Sequence, residues 1–145
     1  MERNLSLNLH VLLARLDRAA DRMLRAEHDI SYSRFLALTL ISELGVSTQR
    51  ALADGLGVTE PSVSRMTAVL AADGLLDVQP DPAGGNRRQL SLTGKGERLV
   101  ASLRQEFEEK LAALVEHSGV PYAEFAEHTA RLLATLDRVE REAAR

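Results

Sequence analysis

The chain has 145 residues, enough for one ordinary domain with a sizeable core, and carries a formal net charge of −3 with 27% charged residues. It contains no cysteine and no tryptophan, and aromatics make up only 3%. Disulfides, thiolate nucleophiles and sulfur-ligated metals are therefore excluded, and the core must be aliphatic. The weakly acidic balance also excludes a polybasic coat, so any positive surface for nucleic acid has to be local. Apolar runs are short, and no basic stretch leads into an apolar segment at the N-terminus. Neither a signal peptide nor a membrane span is expected, which points to a cytoplasmic protein.

Residues 5–28 place Leu9, Leu12, Leu13, Leu16, Ala20, Met23 and Leu24 at spacings of three and four, the period of an amphipathic helix. The segment Asp29 to Ser31 breaks it. Ser31 can then cap a second helix whose apolar residues Phe35, Leu36, Leu38, Leu40 and Ile41 are nearly continuous and which stops at Gly45. Ser47 is a plausible cap for a short third helix that turns Leu52, Ala53 and Leu56 inward and ends at Gly57. Thr59 caps a fourth, with Pro61 in the first turn where a missing N–H costs nothing, and Val63, Met66 and Leu70 recur along it to about Ala72. Two short helices joined by "LGVT" form the pattern of a helix-turn-helix.

After Gly74 the period shifts from 3.6 toward 2. "LLDVQ" and "RQLSL" alternate on either side of "PDPAGGN", whose Pro, Asp, Gly and Asn supply turn conformations, so a hairpin is expected. Thr93 caps a fifth helix carrying Leu99, Leu103, Phe107, Leu111, Leu114 and Val115, and Gly119-Val120-Pro121 ends it. A sixth helix, with Phe125, Leu132, Leu133, Leu136 and Val139 inward, reaches the C-terminus.

A helix-turn-helix followed by a hairpin is a winged helix-turn-helix, and here the chain resembles the multiple-antibiotic-resistance regulator (MarR) family of bacterial transcription factors. The resemblance spans essentially the whole chain and is carried by "ALADGLGVTEPSVSRMTAVLAADGLL" (51–76), Asp81-Pro82 at the wing, and "LTGKG" (92–96). It implies a mainly α fold with a small β-hairpin wing, organised as a dimerisation helix (1–30), a DNA-binding lobe (31–94) and C-terminal dimerisation helices (95–145). It also implies a homodimeric regulator of duplex DNA, a repressor relieved by a small ligand, with no catalytic constellation and no cofactor. Two departures stand out. Gly-Gly-Asn occupies the wing tip where the family places an acidic residue and two arginines, the arginines here come two positions later, and Ala68 stands where the family often has an acid.

The second helix of a helix-turn-helix reads the major groove with its N-terminal residues, here Thr59, Glu60, Pro61, Ser62, Ser64 and Arg65. At the wing, Gly84, Gly85 and Asn86 permit close approach to a minor groove, and Arg87 and Arg88 supply charge that gains from the negative potential there. Adjacent strand residues face opposite ways, so one arginine is expected in the groove and the other on phosphate or Asp81. From Val46 to Gly96, Arg50, Arg65, Arg87, Arg88 and Lys95 are balanced by Asp54, Glu60, Asp73, Asp77 and Asp81. A neutral lobe makes few phosphate contacts, which favours two lobes acting together on a pseudo-palindromic operator.

The family's small, often anionic aromatic ligands bind between the dimerisation helices and the lobe, which here brings in His10 and Arg15 from the first helix and Tyr32, Arg34 and Phe35 from the second. The histidines His10, His28, His117 and His128 show no compact ligand spacing, and no metal site is expected. The neutral lobe leaves one competing function, a winged domain kept as a protein-interaction module without DNA binding.

Overall fold

A computed structural model of the chain describes residues 4–85 and 87–145. Helix starts fall where a side chain can accept one of the free backbone N–H groups. Helix α1 (Leu5–His28) opens on Asn4, whose side chain accepts from Leu7, and closes at Asp29, held at φ 52°, a left-handed conformation that short polar side chains tolerate. Ser31 then starts α2 (Tyr32–Leu44), its Oγ accepting the Arg34 N–H at 3.2 Å. The helix-turn-helix is α3 (Gln49–Leu56) and α4 (Glu60–Ala72). Helix α5 (Gly94–His117) starts where Thr93 Oγ1 accepts the Gly96 N–H at 3.0 Å, and α6 (Tyr122–Ala143) follows Pro121.

The hairpin strands are β2 (Leu76–Pro80) and β3 (Arg88–Leu92), antiparallel with Val78 opposite Leu90. A third strand that sequence reading did not anticipate, β1 (Val46–Thr48), pairs antiparallel with β3, setting Ser47 opposite Leu90 and Thr48 opposite Gln89, so the sheet order is β1-β3-β2. This displaces the expected cap of α3 by one residue. Ser47 is buried in β1, and Thr48 Oγ1 accepts the Ala51 N–H at 3.1 Å.

The chain divides into two compact units, Met1–Ser102 and Leu103–Arg145. In the first, Leu24, Phe35, Leu38, Ile41, Leu52, Val63, Leu70, Leu76 and Leu90 are buried, so α2 is enclosed by its neighbours as its continuous apolar run requires. Two glycines mark close approaches. A Cβ on Gly55 would meet the Leu40 side chain, letting α3 pack closely on α2, and a Cβ on Gly96 would run into the backbone of Leu75. Thr93 ties the same corner by donating from Oγ1 to the Gly74 carbonyl at 2.7 Å and from its N–H to Leu75 O at 3.2 Å. Together these contacts anchor the base of the hairpin to the first turn of α5.

Within the second unit no residue of α6 is buried, and Phe125, Leu132, Leu133, Leu136 and Val139 form an exposed apolar row at helical spacing. At the other end of the chain, Leu5, Leu9, Leu12 and Leu13 of α1 are likewise exposed. The inward packing expected of Phe125, Leu132, Leu133, Leu136 and Val139 is thus not made within the chain. Among the described residues no helix is long and apolar enough to cross a membrane.

Candidate nucleic-acid interface

The turn between α3 and α4 is made by Gly57, whose φ of 68° allows the Val58 N–H to return to Ala53 O at 3.1 Å. Thr59 then caps α4, its Oγ1 accepting the Ser62 N–H at 3.3 Å. The helix buries Val63, Thr67 and Leu70 and leaves Thr59, Glu60, Pro61, Ser64 and Arg65 exposed, with Ser62 half-buried. Its first turns therefore present a polar row to solvent. The angle between α3 and α4 is pinned by a part-buried hydrogen bond in which Gln49 Nε2 donates to Thr67 Oγ1 at 3.2 Å, while that hydroxyl donates to Ser64 O at 3.1 Å.

At the wing, Asp81 organises the turn through its own backbone and side chain. Its N–H donates to Arg87 O at 3.0 Å, its carbonyl accepts from Gly84 at 3.0 Å, and its carboxylate accepts the Ala83 N–H at 2.9 Å. Gly84 and Gly85 take φ of 87° and 73°, left-handed conformations that explain why glycine fills the tip. Asn86, the third expected tip residue, lies outside the described residues. Arg88 opens β3 opposite Pro80, whereas Arg87 precedes the strand, so strand alternation does not separate the pair. Both line one cleft.

That cleft, of about 360 Å³, is lined by Thr48, Gln49 and Arg50 at the start of α3, Glu60 at the start of α4, and Arg87 and Arg88. It joins the start of α4 to the wing through the opening of α3, whose residues the sequence did not single out as a site. The missing signal was the pairing of β1 with β3, which sets Thr48 opposite Gln89. Lys95, counted as a lobe charge, has another task, because its Nζ donates to Asp73 O at the end of α4 at 3.0 Å.

The residues expected to form a ligand cleft are distributed differently. Phe35 is buried in the core. Arg34 lines a cleft of about 300 Å³ with Arg25, Arg65, Ser31, Ser33 and Ser62, between the start of α2 and the flank of α4. Tyr32 lines a neighbouring one of about 430 Å³ with Asp17, Arg18, Asp21, Arg22 and Ser33. His10 and Arg15 are exposed on α1 and line neither. Asp21 holds the α1–α2 junction, its Oδ1 accepting the Tyr32 N–H at 2.9 Å and its Oδ2 the Arg25 Nε–H at 2.8 Å. The amide hydrogen bond, with help from Arg25, keeps its carboxyl below the usual range. Burial, and then the nearby Asp17 charge, push the Tyr32 hydroxyl above its usual value.

Comparison with known proteins agrees with this geometry. The sequence profile of the MarR family matches residues 28–85. An uncharacterised HTH-type transcriptional regulator of Mycobacterium bovis is 31% identical over 141 residues, covering 97% of this chain and 85% of that protein. The chain belongs to the MarR family. It is accordingly a DNA-binding transcriptional regulator and not an enzyme. Among solved MarR-family relatives, the S. aureus MepR–DNA complex superposes with a TM-score of 0.72 at 26% identity, covering 95% of this chain and 99% of that one. NadR in complex with 4-hydroxyphenylacetate shares the fold, with a TM-score of 0.75 at 24% identity over 94% and 95% of the two chains. The winged helix-turn-helix expected from the sequence is the fold observed, enlarged by β1.

Proposed function

We propose that this MarR-family regulator acts as a homodimer on a pseudo-palindromic duplex operator, as a repressor released by a small aromatic or anionic ligand. The observation that carries the reading is the single cleft in which the first turn of α4 meets both wing arginines. Thr59 to Arg65 would read base edges in the major groove while Gly84 to Arg88 follow the minor groove, the two recognition helices lying roughly 34 Å apart on one face of the duplex.

The dimer is supported by the exposed apolar rows. Leu5 at 65% and Leu132 at 69% exposure each have an exposed leucine one turn away, Leu9 and Leu136, so they form contiguous apolar rows and not scattered single residues. The neutral lobe supports it independently, since two weak lobes on one operator gain by effective concentration. A protein that works on chromosomal DNA belongs in the cytoplasm.

The ligand reading is supported by the cleft that holds Arg25, Arg34 and Arg65, because an anion there would pair with an arginine the operator also uses. A ligand shifts DNA affinity only by binding one arrangement better, and competition for Arg65 supplies that difference. The probe is 4-hydroxyphenylacetate, the compound bound to NadR.

The test is selection of bound fragments from a genomic duplex pool at roughly 50 and 200 mM salt, with sedimentation of the free protein. An inverted repeat, an affinity that drops steeply with salt, and a dimer are expected. Unchanged operator affinity in both Arg65→Ala and the double variant Arg87→Ala, Arg88→Ala would overturn the groove assignments.

A further inference from the structure

Glu60 is out of place on a surface that is meant to meet phosphate. It is exposed in the first turn of α4 and is the one carboxylate among the described residues lining the cleft that holds Arg50, Arg87 and Arg88. Of the five basic residues from Val46 to Gly96, three are therefore gathered in one notch and a fourth, Lys95, is taken up by the Asp73 carbonyl. A carboxylate is an acceptor without a proton to give, and phosphate oxygens are acceptors too. Toward the DNA backbone Glu60 only repels.

Base edges are different. In the major groove the exocyclic N4 amine of cytosine is a donor, and a Glu carboxylate is a natural acceptor for it; adenine N6 also donates but sits beside the N7 lone pair, which repels a carboxylate, and guanine N7 and O6 and thymine O4 present only lone pairs. We infer that Glu60 is a specificity-determining residue that selects a cytosine at one fixed position in each operator half-site. The inference rests on α4 entering the major groove, as proposed above. Its place in one cleft with Arg50 of α3 and the two wing arginines gives it a second effect on the same discrimination. With cytosine in place, the carboxylate is satisfied and its desolvation is offset. With any base edge that offers only acceptors, it remains an unpaired charge beside the phosphates that the arginines must hold, and the cleft binds poorly. Non-specific DNA is thereby disfavoured without loss of the correct site.

The experiment is a selection from randomised duplexes with the full chain, comparing wild type, Glu60→Ala and Glu60→Gln, followed by binding of each protein to the wild-type consensus and to a scrambled duplex. Wild type should enrich cytosine at one position per half-site. Glu60→Ala should lose that preference, roughly tenfold, while keeping the others, and should bind scrambled DNA more tightly because a negative charge has gone. Glu60→Gln should move the preference toward adenine, whose N6 and N7 pair with an amide. The inference is overturned if Glu60→Ala keeps the wild-type preference at every position, or if it weakens all duplexes alike. A wild-type protein that enriches no sequence would overturn the DNA-reading assignment of α4 itself and the inference with it, an outcome visible before any variant is made. Glu60 is exposed and makes no core contact, so both variants should fold, which their melting curves check.

Discussion

Replacing Gly96 by alanine tests the corner that fixes the wing to the rest of the lobe. An alanine Cβ there would press into the carbonyl oxygen of Leu75, with the carbonyl carbon 3.1 Å and the Leu75 Cα 3.5 Å away. These are backbone atoms at the foot of β2, and the same oxygen accepts the Thr93 N–H, so neither side can yield without loosening the hairpin base. Overpacking of this kind costs about 1–3 kcal/mol, and the obstruction by backbone puts it at the upper end. Alanine's better helix propensity returns up to about 1 kcal/mol. The net loss is about 2 kcal/mol, which at roughly 4 °C per kcal/mol for a chain of this size lowers the melting temperature by about 8 °C. Gly94→Ala is the matched control, since its Cβ would meet only the mobile end of Arg98, Nη1 at 3.3 Å, and it should melt within about 2 °C of wild type. Both are followed by calorimetry or circular dichroism at one fixed protein concentration, because self-association would otherwise shift the midpoint. Equal melting temperatures for the two variants would refute the argument that backbone approach is what requires glycine at 96.

Three further outcomes follow from the contacts described above. Thr67→Val keeps the buried volume but removes the acceptor for Gln49, and should cost about 1 kcal/mol by urea denaturation; an unchanged midpoint would show that the bond does not set the α3–α4 packing. Asp21→Ala should lower the melting temperature at neutral pH, and the gap should close in acid. The carboxyl is depressed in the folded chain, so its contribution is complete above the ordinary carboxylate range and disappears as pH falls through the lower folded value. A gap that stays constant between about pH 6 and 2 would contradict this. Arg50→Ala should reduce the slope of log affinity against log salt by about one, whereas Lys95→Ala should leave the slope alone and cost a little stability; the reverse pattern would move the phosphate contact from α3 to the start of α5.

Much of the molecule was legible because its helices are specified locally. The i, i+3 and i, i+4 spacing of apolar residues, together with Ser31, Thr59 and Thr93 as acceptors at helix starts, lies within a few positions of the structure it dictates. The hairpin announced itself in the same way, through alternation on either side of a Gly-rich turn. Three-residue β1 did not, since so short a strand has no period to display and exists only through its pairing with β3. The cap of α3 was misplaced by one residue for the same reason, as burial of Ser47 in the sheet leaves Thr48 to do the capping.

The candidate site shows the same division. Residue types and their order singled out the start of α4 and the wing, because DNA recognition by this architecture draws on consecutive residues. Which charges share a cleft was decided elsewhere. Arg50 and Glu60 meet Arg87 and Arg88 through sheet register and the α3–α4 turn, Arg65 and Arg34 line one cleft, and Lys95 turns back to the Asp73 carbonyl. His10 and Arg15 stand apart from Tyr32 and Arg34 although all four belong to neighbouring helices, because α1 meets Tyr32 at Asp21 and the other two lie about 16 and 9 Å farther along its axis, at 1.5 Å per residue. Sequence alone determined the six helices, the hairpin, their polarity and the family resemblance, since these depend on patterns among near neighbours along the chain. Tertiary structure alone decided the partners of each charge, since those partners are brought together by β pairing and helix packing across long sequence separations.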